Sequence, residues 1–477
     1  MSRRFALAAA VAALLPACGS GSSGSGGSDG SGGPPAPSPA PVPFLAADLR
    51  LDKEVAGIEG VMNPITARDG DRVYAFWIEH GSTPSLRREL MMNRSADGGS
   101  TWLADPVRVD RRPTVSSDFG GLAAVAVGDA VYLAYSDDRE GVHNVYFTRS
   151  ADGGLTWPAD DVRLDHAADG VPTSSLALAA DGPRIYVAWH DGRDGTGSDT
   201  YMASSTDGGE TWSASDAGVS HGPDVSAAVQ IACSGSSVYA VWQDDRNGFL
   251  DIYANRSLDG GITWLPADRR LDTDAAGAAS SQFPEIACSG SSVYVVWEDF
   301  RSGNQVRFNR SLDAGNAWLA SDVEFGAAAP DAQSPAVACA GLKVYVAWMD
   351  TRSGTWSIRF DRSLDGGGTW LPSDVRLDLG KADGSSQSTH PALAADGDHV
   401  HTVWYDFRAG DSDPYVNYSP DAGLTWRPAG LLAAHQPHPS DGTSGHGLAV
   451  DGSHACVVWS DEREVPRFRI YANRMRH

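Results

Sequence analysis

The stretch Ser95-Ala-Asp97-Gly-Gly99-Ser-Thr101-Trp102 defines a pattern, S-x-D-x-G-x-T-W, that recurs roughly every fifty-odd residues along the chain. Six further copies carry their acid at Asp152, Asp207, Asp259, Asp313, Asp365 and Asp421, with Ala317 replacing the threonine once. A unit of this size cannot bury a core alone, so consecutive copies must stack against one another. The 477 residues are therefore expected to form mainly one repeat domain.

A second pattern, an apolar strand ending in W-x-D-x-R, alternates with the first. Trp189-His-Asp191-Gly-Arg193 represents it, and Tyr135/Asp137/Arg139 and Trp77-Ile-Glu79 are variants. The remaining copies are Trp242/Asp244/Arg246, Trp297/Asp299/Arg301, Trp348/Asp350/Arg352, Trp404/Asp406/Arg408 and Trp459/Asp461/Arg463. The two patterns hold all but Trp356 of the 15 tryptophans, so they are the frame of the repeat.

Each repeat contains four short apolar or alternating runs separated by turn residues. Around residue 340 these runs cover 334–340, 343–348, 356–362 and 369–377. Such runs predict antiparallel strands, and four per tandem repeat are typical of a β-propeller blade. We therefore expect an all-β, eight-bladed propeller, with six or seven blades as alternatives.

The blade count predicts how the ring closes. Eight second strands are present, but the fourth strand follows an Asp turn only seven times, because the chain stops after a third strand at 469–477. Residues 44–52 match the fourth-strand segments 265–272 and 371–378. The N-terminal strand should therefore complete the last blade and leave the ring without an open edge.

The first pattern resembles the Asp box, or BNR repeat, of the sialidase superfamily, and the resemblance covers residues 44–477. It implies that the boxes join the third and fourth strands of each blade, that they are structural, and that they lie on the face opposite the active site. Known sialidases have six blades. Seven equivalent carboxylates also argue from the residues themselves for a scaffold, since the Asp can accept turn N–H bonds and the Gly permits positive φ.

Sialidase catalysis, as the resemblance implies it, needs three arginines that clamp a carboxylate, a tyrosine activated by a glutamate, and an aspartate acid/base. The resemblance places the first of these arginines just before the first strand of the first blade. That segment reads Val61-Met62-Asn63-Pro64 here and contains no arginine. Asp118 and Tyr405 are the catalytic candidates, by location alone.

The W-x-D-x-R copies have two interpretations. They could form a charged binding annulus, or each Asp could cap a turn while its Arg bridges to an acid such as Asp199, Asp251 or Asp413. The structural interpretation is favoured, because repetition in every blade is what a shared folding constraint predicts.

Positions that differ between copies escape that constraint and are better ligand-binding candidates. After the tryptophan they are His190, Gln243, Glu298, Met349 and Tyr405; before the arginine they include Phe300 and Phe407; and the loops around His390, His435 and His438 complete the set.

The N-terminus predicts a targeting segment. Residues 1–18 combine Arg3-Arg4, an apolar run from Phe5 to Leu15 and the ending Leu15-Pro16-Ala17-Cys18, which resembles a bacterial lipoprotein signal with a lipidated Cys18. Residues 19–43 are Gly-, Ser-, Pro- and Ala-rich and are expected to be a disordered tether. The protein should then be anchored in the cell envelope, at the outer membrane or cell surface, or secreted if Cys18 is not lipidated.

Charge and cysteine content exclude some functions. The formal net charge of −24 argues against nucleic acid as a partner. Cys233, Cys288 and Cys339 share one register, and with Cys456 they are expected to be buried free thiols rather than zinc ligands. No cofactor is expected, a structural calcium is not indicated by any motif, and the protein is expected to be a monomer.

Two classes of function remain. The first is an envelope-anchored binding module for a glycan or a protein; the second is a sialidase-type glycoside hydrolase with a non-standard active site, which rests on fold resemblance. A purely structural envelope role is a third.

Overall fold

A computed structural model describes residues 44–45, 47–53, 58–81, 87–110, 119–167, 171, 173–193, 195, 197–222, 225–326, 329–434, 443–450, 454–464 and 467–476. The predicted signal peptide with Cys18, the predicted tether, Asp118, His435 and His438 lie outside the described residues. No helix in these ranges is long and apolar enough to cross a membrane.

The described chain forms eight four-stranded antiparallel sheets, the blades. Blade 1 comprises β2 (Ile58–Asp69), β3 (Arg72–Gly81), β4 (Arg87–Ser95) and β5 (Val107–Arg108). Blade 2 comprises β6 (Phe119–Val127), β7 (Ala130–Asp137), β8 (Asn144–Ser150) and β9 (Val162–Arg163). Blade 3 comprises β10 (Thr173–Asp181), β11 (Arg184–Asp191), β12 (Asp199–Ser205) and β13 (Ala217–Gly218). Blade 4 comprises β14 (Ser226–Ser234), β15 (Ser237–Asp244), β16 (Asp251–Ser257) and β17 (Arg269–Arg270).

The remaining blades repeat this order. Blade 5 comprises β18 (Ser281–Ser289), β19 (Ser292–Asp299), β20 (Gln305–Ser311) and β21 (Val323–Phe325). Blade 6 comprises β22 (Ala332–Ala340), β23 (Lys343–Asp350), β24 (Ser357–Ser363) and β25 (Val375–Arg376). Blade 7 comprises β26 (Ser388–Asp396), β27 (His399–Asp406), β28 (Asp413–Ser419) and β29 (Leu431–Leu432). Blade 8 comprises β30 (Thr443–Val450), β31 (His454–Glu464), β32 (Arg467–Arg476) and the N-terminal β1 (Leu49–Arg50).

The ring is closed by the N-terminal strand, as the sequence predicts. β1 pairs antiparallel with β32, with Leu49 opposite Ala472 and Arg50 opposite Tyr471. The first strands contact one another in a full circuit, from β2 through β6 and onward to β30, which contacts β2 again. The first strands therefore surround the ring axis, and the eight-bladed prediction is confirmed.

The core lies between adjacent blades. The tryptophan of each W-x-D-x-R copy is fully buried, as are Tyr74, Tyr135, Tyr186, Tyr294 and Tyr345. Trp297 of blade 5, for example, packs in one cluster with Tyr239 and Ile252 of blade 4. Each sheet thus buries both faces against its neighbours, which is how a small repeat acquires a core. The four cysteines of the described chain are buried free thiols, as expected.

The fourth strand is shorter than the sequence suggested. In blade 6 the paired segment is only Val375–Arg376, whereas the apolar run had predicted a strand over 369–377. The Thr-Trp pair of the box precedes this strand rather than beginning it, because Thr369 is bonded to Asp365 in the turn. Trp370 packs edge-on against Phe308 of blade 5 at 5.0 Å.

Candidate functional site

The Asp boxes close turns on one face of the ring, which we call the Asp-box face. In the first box Asp97 Oδ1 accepts bonds from Thr101 N at 2.8 Å and Ser95 Oγ at 2.7 Å, while Thr101 Oγ1 donates to Asp97 Oδ2 at 2.7 Å. Gly99 has φ +94°, and a Cβ there would lie 2.9 Å from Cys456 Sγ. The hydroxyl of Thr263 and its backbone N–H lower the pKa of Asp259 to about 2. Each box acid is thus committed to its own turn.

The W-x-D-x-R copies form the opposite face, which we call the W-x-D-x-R face. Asp191 accepts bonds from Trp189 Nε1 at 2.9 Å and from Arg193 N at 3.1 Å, and forms an ion pair with the Arg193 guanidinium. The guanidinium also stacks on Tyr201, with its Cζ 3.9 Å from the ring centroid. The repeated Asp and Arg side chains are therefore structural.

The second partner of each arginine differs from the sequence expectation. Arg193 Nη1 lies 2.5 Å from Asp216 Oδ2, just before the fourth strand, rather than pairing with Asp199. Equivalent acids are Asp48, Asp161, Asp268, Asp322 and Asp374. Asp251, which the sequence offered as a partner for Arg246, pairs with Arg270 instead. The arginine thus ties the second strand to the outer strand of its blade, a contact that linear spacing within the hairpin does not reveal.

One acidic group has the composition of a cation site. Asp251, Asp272 and Asp274 bring carboxylate oxygens within 4.8 Å of one another, the only group of three metal-ligand side chains this close among the described residues. Arg270 Nη2 lies at their centre, at 2.9, 2.7 and 2.5 Å from the three carboxylates. Burial and the adjacent Asp251 raise the pKa of Asp272 to about 8. The guanidinium supplies the positive charge that the group requires.

The first strand of every blade is interrupted by a β-bulge near the W-x-D-x-R face. The register shifts at Gln282/Glu285 in blade 5 and at the matching place in the other blades. Six of the bulged residues have positive φ without being glycine: Asn63, Ser175, Ala228, Phe283, Ser334 and His390. A proline follows four of them. Proline has no backbone N–H, and it is tolerated here because the bulge interrupts the hydrogen bonds between the strands. This explains the proline that recurs in the aligned copies.

Three of the variable residues bind these bulges in the neighbouring blade. His190 Nε2 accepts from Val229 N at 3.0 Å, Gln243 Oε1 from Phe283 N at 2.8 Å, and Glu298 Oε1 from Ser334 N at 2.8 Å. His190 is fully buried, with its pKa lowered to about 4 by burial, and its Nδ1 lies 3.2 Å from Thr200 Oγ1. Each of the three therefore uses a polar side-chain atom to hold the bulge of the next blade.

Rings from blades 7 and 8 meet at the mouth of the axial opening on the W-x-D-x-R face. The Tyr405 ring lies 4.5 Å from that of His446 and 6.3 Å from that of His390. His446 Nε2 donates to the His390 carbonyl at 3.1 Å, which leaves Nδ1 as a buried acceptor without a partner. Burial lowers the pKa of His446 to about 4, so the ring is neutral. His390 itself is exposed and Tyr405 is half-buried.

Phenylalanines are exposed on the same face in blades 4 and 5. Phe249 lies in the hairpin of blade 4 with 56 % of its surface exposed, and Phe300 and the bulged Phe283 are about equally open, at 40 % and 41 %. Of the other ligand candidates, Phe407 is half-buried and Met349 is packed in a core cluster.

One carboxyl group beside the axis escaped the sequence analysis. Glu285 lies two residues after the bulge in β18, where the other blades carry Ile65, Ala123, Ala177, Gln230, Ala336, Ala392 and Gly447. Burial raises its pKa to about 8. An alignment of the first strands of the eight repeats, as well as of the second strands, would have revealed Glu285. It is the one charged residue at a position where the other seven repeats carry uncharged residues. His446 was missed because its neighbours come from another blade.

No protein-family model matches the chain, and neither does any curated protein. Among solved structures, a protein of unknown function from Dyadobacter fermentans is 12 % identical, covering 90 % of this chain and 98 % of its own, with a TM-score of 0.41. The GH93 alpha-L-arabinofuranosidase of Fusarium graminearum is 12 % identical over 91 % of this chain and 98 % of its own, with a TM-score of 0.40. The Hadza microbial sialidase Hz136 is 17 % identical over 69 % and 74 %, with a TM-score of 0.37. These likenesses concern the fold alone.

The described residues do not assemble the sialidase constellation around Tyr405. Its hydroxyl bonds to no described carboxylate, and burial alone raises its pKa. Asn63, at the place of the expected first arginine, is a bulged residue with φ +53°. The arginines of the W-x-D-x-R copies cannot substitute for a clamp without breaking their own ion pairs.

Proposed function

We propose that this protein is an envelope-anchored binding module whose propeller takes a glycan or protein ligand at the W-x-D-x-R face. The observation that carries the proposal is the set of accessible aromatic side chains there, Phe249, Phe283, Phe300 and Tyr405 with His390. Aromatic side chains supply large contact areas at low entropic cost and dominate binding energy in many interfaces.

The paired charges of the same face support a binding role over catalysis. The W-x-D-x-R ion pairs are bonded within their blades, so they fix the hairpins that carry Phe249 and Phe300. A rigid surface of this kind binds with little loss of conformational entropy. The Asp and Arg side chains of these copies are committed to their own ion pairs, so they are not available as catalytic acids or bases.

The test is a glycan array and a peptide-binding screen of the full chain, repeated with Phe300→Ala and Tyr405→Ala. Each substitution should weaken binding of a ligand found by the screen by about tenfold or more, the usual effect of removing an aromatic anchor. Leu424→Ala, on the Asp-box face, is the matched control and should leave affinity unchanged.

Tyr405→Phe separates the binding proposal from the hydrolase alternative. The ring remains while the hydroxyl is lost, so binding should persist. Turnover of fluorogenic sialosides by the wild type that disappears in Tyr405→Phe would instead establish an enzyme. Ligand binding indifferent to every substitution on the W-x-D-x-R face would also contradict the proposal.

A further inference from the structure

The Asp-box face exposes aliphatic side chains where the other face exposes aromatic ones. Ile262 is 75 % exposed and Leu424 64 %, and both occupy the position before the box threonine. Leu258, Leu312 and Leu364 precede the box aspartate, and Leu342 lies in the adjacent β22–β23 turn. These positions are free in the box pattern, and the boxes of blades 1 and 3 fill them with Ala96, Ser100, Thr206 and Glu210. The box of blade 2 has one exposed leucine, Leu155, whose neighbouring boxes carry polar residues or alanine at these positions. The aliphatic side chains therefore form an apolar arc over blades 4 to 7.

Two of these leucines converge across a blade boundary. A Cβ placed on Gly366 would lie 3.1 Å from Leu312 Cδ2 and 3.2 Å from Leu342 Cδ2. The apolar arc is therefore continuous between blades 5 and 6, rather than a set of isolated exposed leucines.

The fifth box departs from the repeat at the centre of the apolar arc. In the other blades that carry an arginine before the box serine or at the matching place, this arginine donates to a carbonyl of the next box; Arg362 Nη1, for example, donates to Ala422 O at 2.6 Å. Blades 3 and 7 have Ser204 and Tyr418 there instead. The Arg310 guanidinium makes no hydrogen bond or ion pair with a described residue, and its Nε is a buried donor without a partner. Ala317 removes the hydroxyl that would bond Asp313, and a groove of about 280 Å³ opens between Arg310, Leu312, Asp313 and Trp318. An unpaired guanidinium in a groove beside leucines suits the phosphate of a lipid headgroup.

The chain enters the ring on this same face. Leu45 N donates to Arg474 O at 3.3 Å and to Asn473 Oδ1 at 3.0 Å, the bonds that Leu265, directly after a box tryptophan, makes to Arg256 and Asn255. The described chain therefore begins at the Asp-box face in blade 8, away from the arc in blades 4 to 7. Residues 1–43, with the apolar run from Phe5 to Leu15, precede it in the sequence.

We propose that the Asp-box face lies against a zwitterionic lipid surface, with the apolar arc in the headgroup boundary and Arg310 on a lipid phosphate. A single weak attachment binds membranes reversibly, whereas two together hold a protein in place. The N-terminal segment would be one attachment of this protein and the apolar arc the other. A net charge of −24 would repel an anionic bilayer, which favours a zwitterionic one. The inference is independent of the ligand and leaves the W-x-D-x-R face directed away from the membrane.

The experiment uses the full chain with Cys18→Ser, so that no acyl chain is attached, and an environment-sensitive fluorophore on Leu424→Cys. Phosphatidylcholine–phosphatidylethanolamine vesicles should shift the emission to shorter wavelength at position 424. The same fluorophore on Phe249→Cys, on the opposite face, should not respond.

A variant set separates the apolar arc from the N-terminal segment. Leu312→Ser with Leu364→Ser, or Arg310→Gln alone, should reduce the vesicle-dependent shift at position 424 about tenfold or abolish it. Val225→Ser with Leu379→Ser, exposed apolar residues of the other face, should leave it intact. Vesicle binding with no response at position 424 would overturn the proposal, because the N-terminal segment alone would then hold the protein. A response that appears without vesicles and grows with protein concentration would overturn it in favour of a second copy of the chain.

Discussion

Glu285 is a carboxyl group beside the ring axis, at a position where the other seven blades carry uncharged residues. Its pKa of about 8 lies above the value near 4.5 of an exposed glutamate, because burial disfavours the charged form. The folded protein therefore prefers the protonated carboxyl. The stability this group contributes is complete below about pH 4.5 and is lost as the pH rises through 8.

Glu285→Gln should consequently stabilise the protein at high pH and hardly change it at low pH. At pH 9 we expect a gain of about 1–2 kcal/mol, below the full value of the shift because solvent reaches a partly exposed group. Urea unfolding of both proteins at pH 4.5 and pH 9 measures it. Gln230→Glu, at the same register in blade 4, should introduce a second loss of stability at high pH. Equal stabilities of wild type and Glu285→Gln at pH 9 would place the carboxyl in open solvent.

At the scale of elements, blades 3 to 6 are joined in succession by a side chain of one blade that binds the bulge of the next. The sequence predicts the first three strands of blade 6 well, because turn residues and the period of two are local. It does not predict the bulge at Phe283 or its bond from Phe283 N to Gln243, since that contact joins two blades. For the same reason Gln243 and Glu298 looked like free recognition residues in the aligned copies.

Glu298→Ala should destabilise the protein by about 1–2 kcal/mol, because Ser334 N loses its acceptor at the bulge of blade 6. Glu298→Gln retains an oxygen at the same place and should be as stable as the wild type at neutral pH. Equilibrium unfolding in urea distinguishes the two. If Glu298→Gln lowers the free energy of unfolding as much as Glu298→Ala does, the charge of Glu298 rather than its bond to Ser334 stabilises the protein.

At the scale of the whole molecule, the ring depends on a contact between the two ends of the described chain. Asp52 accepts a bond from Ile470 N at 2.9 Å and lies 3.3 Å from Arg469 Nη1, so residues more than four hundred apart in sequence share one blade. The sequence predicts this closure because segment 44–52 repeats the fourth-strand pattern. It predicts the mouth of the ring poorly, because His390, Tyr405 and His446 come together through the curvature of the ring rather than through a repeated motif.

The most direct test of the closed eight-bladed ring is a disulfide across its seam. In a Cys18→Ser background, Leu49→Cys with Ala472→Cys places two thiols at paired positions of β1 and β32, on the same face of the sheet. Leu49→Cys with Tyr471→Cys is the control, because a shift of one residue directs the side chains to opposite faces of the sheet. Mild oxidation of the folded protein, followed by alkylation of remaining thiols and mass measurement, should show an intramolecular bond in the first pair and none in the second. Free thiols at positions 49 and 472 after oxidation would contradict the closed ring.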